Sequence, residues 1–191
     1  MKEFLASSLY IDYENEEIAY LARSLALDTS SKSEIAKNCF EWVRDNIKHS
    51  ADYKLNPVTC KASDVLKFKT GYCYAKSHLL AALLRVNEIP AGLCYQRLTI
   101  QNDAPPFCLH GLNAVYLEDI GWYRIDARGN KEGVNAQFTP PLEQLAFDIK
   151  LAQECNIPDI FSEPLSVVTD TLEKYDSYLD VYVNLPDIRE T

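Results

Sequence analysis

The chain has no long run of hydrophobic residues. No apolar stretch approaches the roughly 18 residues that a membrane-spanning helix requires. Residues 1–8 carry one lysine but lack the apolar segment of about 7–15 residues that is typical of a signal peptide. We therefore expect a cytoplasmic protein that does not enter a membrane.

Basic residues are also scarce relative to acidic ones. The chain has 19 Lys and Arg against 28 Asp and Glu, which gives a formal net charge of −9 at pH 7. Nucleic acids and anionic membrane surfaces are bound through concentrated Lys and Arg. The charge therefore argues against both as partners.

Paired cysteines and histidines are missing. The chain has six cysteines and only three histidines, and no C-x-x-C or zinc-type spacing occurs among them. We expect no metal, no cofactor and no disulfide framework, and we expect most of the cysteines to be small buried hydrophobic residues. The six are Cys39, Cys60, Cys73, Cys94, Cys108 and Cys155.

The order of periodic patterns predicts a single α+β domain over residues 1–191. The helical N-terminal part covers about 14–90, an antiparallel sheet covers about 92–127, and a helical C-terminal extension covers about 141–180. At 191 residues and 47% hydrophobic composition, the chain can form an ordinary hydrophobic core. The predicted helices are 14–27, a second opened by a Ser31–Glu34 capping box, Cys73 to about Asn87, 141–153 and 168–180; the predicted strands are 93–100, 112–118 and 122–127.

Cys73 is the strongest candidate nucleophile. It follows Gly71-Tyr72 and precedes a leucine-rich run at helical spacing, which places it in the first turn of a buried helix. A helix N-terminus favours negative charge, and such a position next to a histidine can lower a thiol pKa to roughly 3.5–7.5.

His110 and Asp126 are the candidate base and its orienting partner. They lie in two strand-like runs joined by a turn at 119–121, so paired residue numbers should sum to about 240 under the strand-pairing rule. His110 would then face position 130. Asp126 is close enough for a diagonal contact, which this arithmetic permits without requiring it.

Several motifs together resemble the transglutaminase-like superfamily over roughly Ile35 to Gln137. The intervals 110 − 73 = 37 and 126 − 110 = 16 are similar to those of its Cys–His–Asp triad. The resemblance implies a papain-like fold with the cysteine at a helix N-terminus. It also implies acyl transfer through a thioester to water or an amine, by a triad of Cys73, His110 and Asp126. The motifs are Gly71-Tyr72-Cys73, Leu83-Leu84-Arg85, Ile89-Pro90-Ala91, His110 ahead of a strand, and Trp122-Tyr123-Arg124-Ile125-Asp126.

Departures from the family pattern favour a bacterial-type hydrolase or a member whose substrate is unassigned. Leu112 stands where many relatives carry an aromatic residue, and the C-x-x-C zinc sites of the peptide N-glycanase branch are absent. No acidic loop indicates the calcium sites of animal transglutaminases. The expected substrate is a peptide or protein. The alternative is a catalytically silent domain that serves as a binding or scaffold module, and redox sensing by Cys73 is a weaker third hypothesis.

The other candidate residues surround this triad. Tyr72, Tyr74 and Trp122 are predicted to wall the cleft and bind substrate. The Cys73 backbone N–H is the first expected oxyanion donor, and the second is left open among Tyr53, Asn56 and Gln96. We expect His78 to pack or be exposed, His49 to do no more than cap a helix, and Lys76 to be solvated or ion-paired.

Overall fold

The computed structural model describes residues 1–101 and 104–188. Its helical half begins with a 3-10 turn at Lys2–Leu5 and contains the first five α-helices. Two short parallel strands and a four-stranded antiparallel sheet accompany them. The helices are α1 (Glu16–Ser24), α2 (Lys32–Asn46), α3 (Ser50–Tyr53), α4 (Ala62–Phe68), α5 (Cys73–Val86), α6 (Ser166–Lys174) and α7 (Tyr178–Val183); the strands are β1 (Lys48–His49), β2 (Thr70–Gly71), β3 (Ala91–Gln101), β4 (Ala104–Leu117), β5 (Gly121–Ile125) and β6 (Cys155–Asn156).

Helix α5 is the centre of the fold. Every residue from Cys73 to Arg85 is buried, and only the terminal Val86 is partly exposed. Helices α1, α2 and α4 pack on one side of it, and strands β3 and β4 pack on the other. Because leucines and alanines surround the whole helix instead of forming one stripe, it is suited to burial on all sides.

The predicted capping box of α2 forms only in part. The Ser31 hydroxyl accepts a hydrogen bond from the Glu34 N–H at 3.4 Å. The Glu34 carboxylate, however, accepts from the Thr29 hydroxyl and not from the Ser31 backbone. Ser31 thus satisfies one of the free amides at the helix start.

The sheet has the strand order β5-β4-β3-β6. The sequence pattern placed His110 ahead of a strand. Strand β4 instead begins at Ala104, so His110 lies within it. Strands β3 and β4 form a hairpin in which Gln96 pairs with His110. One face of the sheet, here called the inner face, packs on α5. The opposite, outer face carries a separate small apolar cluster that includes Cys94 and Leu112.

The C-terminal extension differs from the prediction. Residues 141–153 are not helical; they form turns and irregular chain that lies over the outer face. Their backbone groups are used elsewhere, since the N–H of Ala146 donates to Asp126. The predicted helix 168–180 is two helices, α6 and α7, and the Ser177 hydroxyl caps α7 by accepting from Asp180 N–H at 3.2 Å.

Within the described ranges, the helices are too short or too polar to cross a bilayer. Three X-Pro peptide bonds are cis: Asn56–Pro57, Pro105–Pro106 and Pro140–Pro141.

Candidate active site

Cys73 is the first residue of α5 and is 7% exposed. The preceding residue, Tyr72, is the N-cap but makes no side-chain capping hydrogen bond. The amides of the first turn therefore receive no side-chain acceptor from the cap and are oriented toward an anionic group at this end of the helix. The β1–β2 pairing brings His49 beside Gly71, two residues before the thiol.

Gly111 allows strand β4 to approach the first turn of α5 closely. A Cβ atom at this position would lie 2.9 Å from Tyr74 Cδ1 and 3.0 Å from Tyr74 Cα. Any larger residue would push the strand away from the helix. The approach lets the Gly111 N–H donate to Cys73 Sγ at 3.4 Å, a distance consistent with a hydrogen bond to sulfur.

The extent of β5 explains why this N–H is available. Strand β5 pairs with β4 only from Asn113 to Leu117. Farther along the same edge, the N–H groups of Leu109 and Gly111 find other acceptors, Pro186 O at 2.7 Å and Cys73 Sγ. The edge of β4 is thus shared between the sheet, the nucleophile and the C-terminal segment.

His110 and Asp126 make the diagonal contact that the strand arithmetic permitted without requiring it. His110 Nε2 lies 2.7 Å from Asp126 Oδ2. Asn113 pairs with Ile125, so residue numbers across β4 and β5 sum to 113 + 125 = 238. Continued past Ile125, that register puts Asp126 two positions from the residue opposite His110, on the same face.

Asp126 is fully buried and held by three donors. Besides His110, its carboxylate accepts from the backbone N–H of Arg128 at 3.1 Å and of Ala146 at 3.0 Å. Burial alone would raise the pKa of this carboxyl group. The positive charge and hydrogen bond of His110, with the two amides, hold the pKa below its usual value instead.

His110 is held in a charged state by its neighbours. Burial alone would lower the pKa of its imidazole, but the negative charge of Asp126 and the hydrogen bonds to Asp126 and Cys73 raise it to about 10. The ring of Phe147 lies edge-on to the imidazole, with centroids 5.0 Å apart. With Nε2 bonded to Asp126, Nδ1 is the nitrogen that remains for the thiol and for proton transfer.

Lys76 is neither solvated nor ion-paired, contrary to the sequence-based expectation. Its side chain is fully buried, and Nζ donates to the carbonyls of Ile47, of Arg128 at 2.9 Å and of Arg44 at 3.4 Å. Burial lowers the pKa of this amine to about 7, and the nearby Arg128 charge adds to the effect. Lys76 thereby caps the C-terminal end of α2 and fixes the backbone beside Asp126.

A cavity of about 480 Å³ opens beside the thiol. Tyr72 and Tyr74 line it, although both are 2% exposed and their hydroxyls donate to the carbonyls of Tyr178 and Leu109. Trp122 lies on the same outer face as His110 and Asp126, but it is four residues before Asp126 and close to the β4–β5 turn. There it packs between Phe4 and Tyr116 and does not line the cavity. The expectation that Trp122 walls the cleft therefore needs correction.

The residues considered as second oxyanion donors are also elsewhere. Tyr53 does not border the cavity, the Asn56 amide oxygen accepts from Tyr178 N–H, and Gln96 Nε2 donates to Asn156 Oδ1 and Phe147 O. His78 is fully buried and lies 2.7 Å from Cys60 O through Nδ1. Burial lowers the pKa of His78 to about 4, so it remains a neutral core residue.

His49 is closer to the site than its sequence position indicated. It lines the same cavity as Cys73 and packs edge-on against Tyr72, with ring centroids 5.4 Å apart. Burial, and then the positive charge of Arg128, lower its pKa well below the usual value. The sequence predicted only a helix-capping role for His49, because no motif around it indicates that it borders a cavity.

In the part of the chain that the structure describes, no group of three or more His, Cys, Asp or Glu side chains could hold a metal ion. All six cysteines are free thiols. Cys108 lines the same cavity as Cys73, but burial raises its pKa to about 12.

Comparison with known proteins agrees with this architecture. The sequence model of the transglutaminase-like superfamily matches residues 19–127, more than half of the chain, and the protein therefore belongs to that superfamily. At the level of the family, this match supports a cysteine-type enzyme. No curated protein matches the chain in the sequence search.

Two solved structures are similar to the chain, and the first of them shows the same fold. A candidate cysteine protease from Cytophaga hutchinsonii is 22% identical with a TM-score of 0.51, over 65% of this chain and 40% of that one. The periplasmic domain of TgpA from Pseudomonas aeruginosa is 18% identical with a TM-score of 0.49, over 65% of this chain and 45% of that one. The matched region is thus less than half the length of either structure.

Proposed function

We propose that this protein is a cysteine-dependent acyltransferase or hydrolase that acts on amide bonds through a thioester. The observation that supports this most directly is the contact chain from Cys73 through the β4 edge to His110 and Asp126. His110 Nε2 is 2.7 Å from the Asp126 carboxylate, and the Gly111 N–H is 3.4 Å from Cys73 Sγ. Membership of the transglutaminase-like superfamily agrees with the proposal.

In the first half of the reaction, Cys73 Sγ attacks the carbonyl carbon of the amide. The S–C bond forms, and the carbonyl oxygen becomes negative near the N-terminus of α5, where the Cys73 backbone N–H can donate to it. His110 carries a proton at neutral pH because its pKa is about 10. It transfers this proton to the leaving nitrogen as the C–N bond breaks, and an amine departs.

In the second half, neutral His110 accepts a proton from water or from an acceptor amine. The resulting nucleophile attacks the thioester carbon, the C–S bond breaks, and Cys73 leaves as a thiolate beside the restored imidazolium. Asp126 holds the imidazole orientation throughout and stabilises its positive charge. Water gives hydrolysis, and an amine gives transamidation.

Selective alkylation tests the nucleophile. At neutral pH, iodoacetamide should label Cys73 faster than Cys39, Cys60, Cys94 and Cys108, because burial raises the pKa values of these four thiols to about 12. His110→Ala should slow labelling of Cys73 while leaving the other sites unchanged, as read by mass spectrometry of each peptide. Equal labelling of all accessible thiols would contradict the proposal.

Activity is tested separately with peptide amides, in the presence and absence of a primary amine. Cys73→Ala should abolish turnover, and His110→Ala should reduce it by about 10²–10⁴-fold. If Cys73 is selectively alkylated but no thioester or product forms on any peptide, the domain is catalytically silent and the binding-module alternative stands.

A further inference from the structure

The segment Tyr178–Asp187, here called the C-terminal strap, forms part of the cavity that contains Cys73. It consists of α7 and the residues after it. Tyr182 and Leu185 from this segment line the cavity. The superfamily match ends at residue 127, so the strap lies outside the part of the chain that defines the family.

The strap is fastened at both ends. At its start, Tyr178 N–H donates to Asn56 Oδ1 at 2.7 Å, and Tyr178 O accepts from the Tyr72 hydroxyl at 2.5 Å. At its end, Pro186 O accepts from Leu109 N–H at 2.7 Å. These contacts fix the strap to Tyr72 and Leu109, which directly precede the nucleophile and the histidine in sequence.

An ion pair completes the attachment of the strap. The Arg97 guanidinium donates to the two carboxylate oxygens of Asp187 at 2.7 and 2.9 Å, in the two-pronged geometry that gives this pairing its directionality. Arg97 also stacks over the Phe107 ring at 4.0 Å. The strap is therefore held on the sheet at the tip of the β3–β4 hairpin.

The cavity wall between these attachments is apolar. Leu98 and Cys108 are directly paired across β3 and β4, so their side chains share one face of the sheet. Leu109, Tyr182 and Leu185 line the same cavity. Burial keeps Cys108 uncharged, since its pKa is about 12.

The charged groups that line the cavity are mostly engaged elsewhere. Asp52 is paired with Arg128 at 2.7 Å and with Lys131 at 2.7 Å. The Glu154 carboxylate accepts from the hydroxyl and N–H of Thr99 and from the N–H groups of Lys150 and Leu151. Asp148 and Lys150 also line the cavity, but they belong to the chain that covers the outer face and not to the strap. The strap residues that line the cavity, Tyr182 and Leu185, are uncharged side chains, so a substrate carboxylate or ammonium placed against them would lose hydration without a cavity-lining strap residue of opposite charge.

We propose that the strap forms an apolar subsite that selects amide substrates with an aliphatic or aromatic side chain next to the scissile carbonyl. Leu185 is the residue that determines this preference, and Tyr182 and Leu98 form the walls beside it. The inference rests on the proposed function, because it assigns the substrate class of the same site. A substrate side chain in this subsite removes apolar surface from water on both partners.

The test uses two peptide acrylamides that differ only in the side chain nearest the reactive group, leucine in one and aspartate in the other. The wild-type protein should alkylate Cys73 with the leucine probe about tenfold faster or more. Leu185→Lys should reverse this preference. Leu179→Lys, in the same strap but 53% exposed and outside the cavity lining, should leave it unchanged.

A second variant guards against misfolding of Leu185→Lys. Leu185→Ala should slow the leucine probe and favour a bulkier phenylalanine probe, because it enlarges the subsite. The rate of each peptide probe is divided by the iodoacetamide rate at Cys73 of the same variant, which separates a change in the thiol from a change in the subsite.

Equal rates for the leucine and aspartate probes in the wild type would overturn the subsite while leaving the proposed function standing. An identical change in the ratio of the two probe rates in Leu179→Lys and Leu185→Lys would also overturn the subsite. If iodoacetamide does not select Cys73 in the wild type, the proposed function itself fails, whatever the ratio of the two peptide probes.

Discussion

The two faces of the β3–β5 sheet are built differently. The inner face, with Tyr95, Leu109 and Val115, packs on α5 as part of one continuous apolar core. The outer face carries Gln96 and His110 and is covered by irregular chain. The inner face provides stability through apolar burial, and the outer face provides the polar environment of the candidate site.

The difference shows why irregular chain is useful next to an active site. Ala146 donates its backbone N–H to the Asp126 carboxylate, and Phe147 packs against the imidazole. Beyond its first turn, an α-helix uses its N–H groups internally and could not donate one here. A covering segment without regular structure can therefore fix a buried carboxylate that the helical side of the fold could not reach.

The largest expected effect comes from Asp126→Asn on the outer face. Loss of the carboxylate removes the partner that orients His110, so amide turnover should fall by about 10³–10⁴-fold. Asp126 also raises the pKa of His110, so the alkaline limb of the Cys73 alkylation profile should move from about pH 10 to lower pH. Stopped-flow alkylation against pH measures both.

Asp148→Asn is the matched control, because Asp148 lines the same cavity without contacting His110 in the hydrogen bonds of the described residues. It should leave the profile in place. If the alkaline limb of the Cys73 alkylation profile does not move in Asp126→Asn, the carboxylate does not raise the pKa of His110 as assigned.

Lys76→Met tests the stability of the inner side of the sheet, where the helices pack. The change leaves three buried carbonyls without their shared donor, so the free energy of unfolding should fall by about 2–4 kcal/mol. Urea denaturation followed by circular dichroism gives the value. Lys37→Met on the exposed face of α2 should change stability by less than about 0.5 kcal/mol. Similar losses of unfolding free energy in Lys76→Met and Lys37→Met would show that the buried position of Lys76 does not account for its effect on stability.

Gly111→Ala tests the contact between the two sides. The added methyl group would meet Tyr74 at 2.9 Å and move β4 away from α5, so Cys73 alkylation should slow by about 10–100-fold with a loss of roughly 1–3 kcal/mol in stability. Gly121→Ala, where nothing lies within 4 Å but φ is +86°, should destabilise through backbone strain alone. Its alkylation rate should equal that of the wild type; slowing in both variants would mean that general destabilisation is responsible.

Phe147→Leu is expected to have the smallest effect. The edge-on ring contact with His110 is worth about 0.5–1.5 kcal/mol, so turnover should fall only a few-fold. A steady-state kcat/KM comparison with the wild type is sufficient. A loss as large as that of Asp126→Asn would show that the covering chain does more than pack against the ring.

Much of this arrangement could be predicted from sequence, where local patterns carry the information. The leucine-rich run after Cys73 indicated a buried helix with the thiol at its start, and α5 begins there. The predicted sum of paired residue numbers across β4 and β5, about 240, was within two of the observed sum, 238. A diagonal His110–Asp126 contact was therefore possible. Those predictions depend on residues near each other in sequence or on regular strand pairing.

The parts that could not be predicted depend on distant contacts. A helical pattern was inferred for 141–153, but the contact of Ala146 with Asp126 and of Leu145 with the outer-face cluster replaces it. Lys76 appeared to be a surface residue because three carbonyls far away in sequence are needed to bury it. Trp122 was predicted to wall the cleft from its residue type, but its distance along β5 from Asp126 places it beside Phe4, which is distant in sequence.

The shortness of β5 has a consequence for how such a protein can change. Two further residues of pairing would give the Gly111 N–H an ordinary strand partner and take it from the sulfur. A more regular sheet would thus remove the hydrogen bond from the Gly111 N–H to Cys73 Sγ. Insertions that extend this hairpin should therefore be tolerated by the fold and lower the reactivity of Cys73.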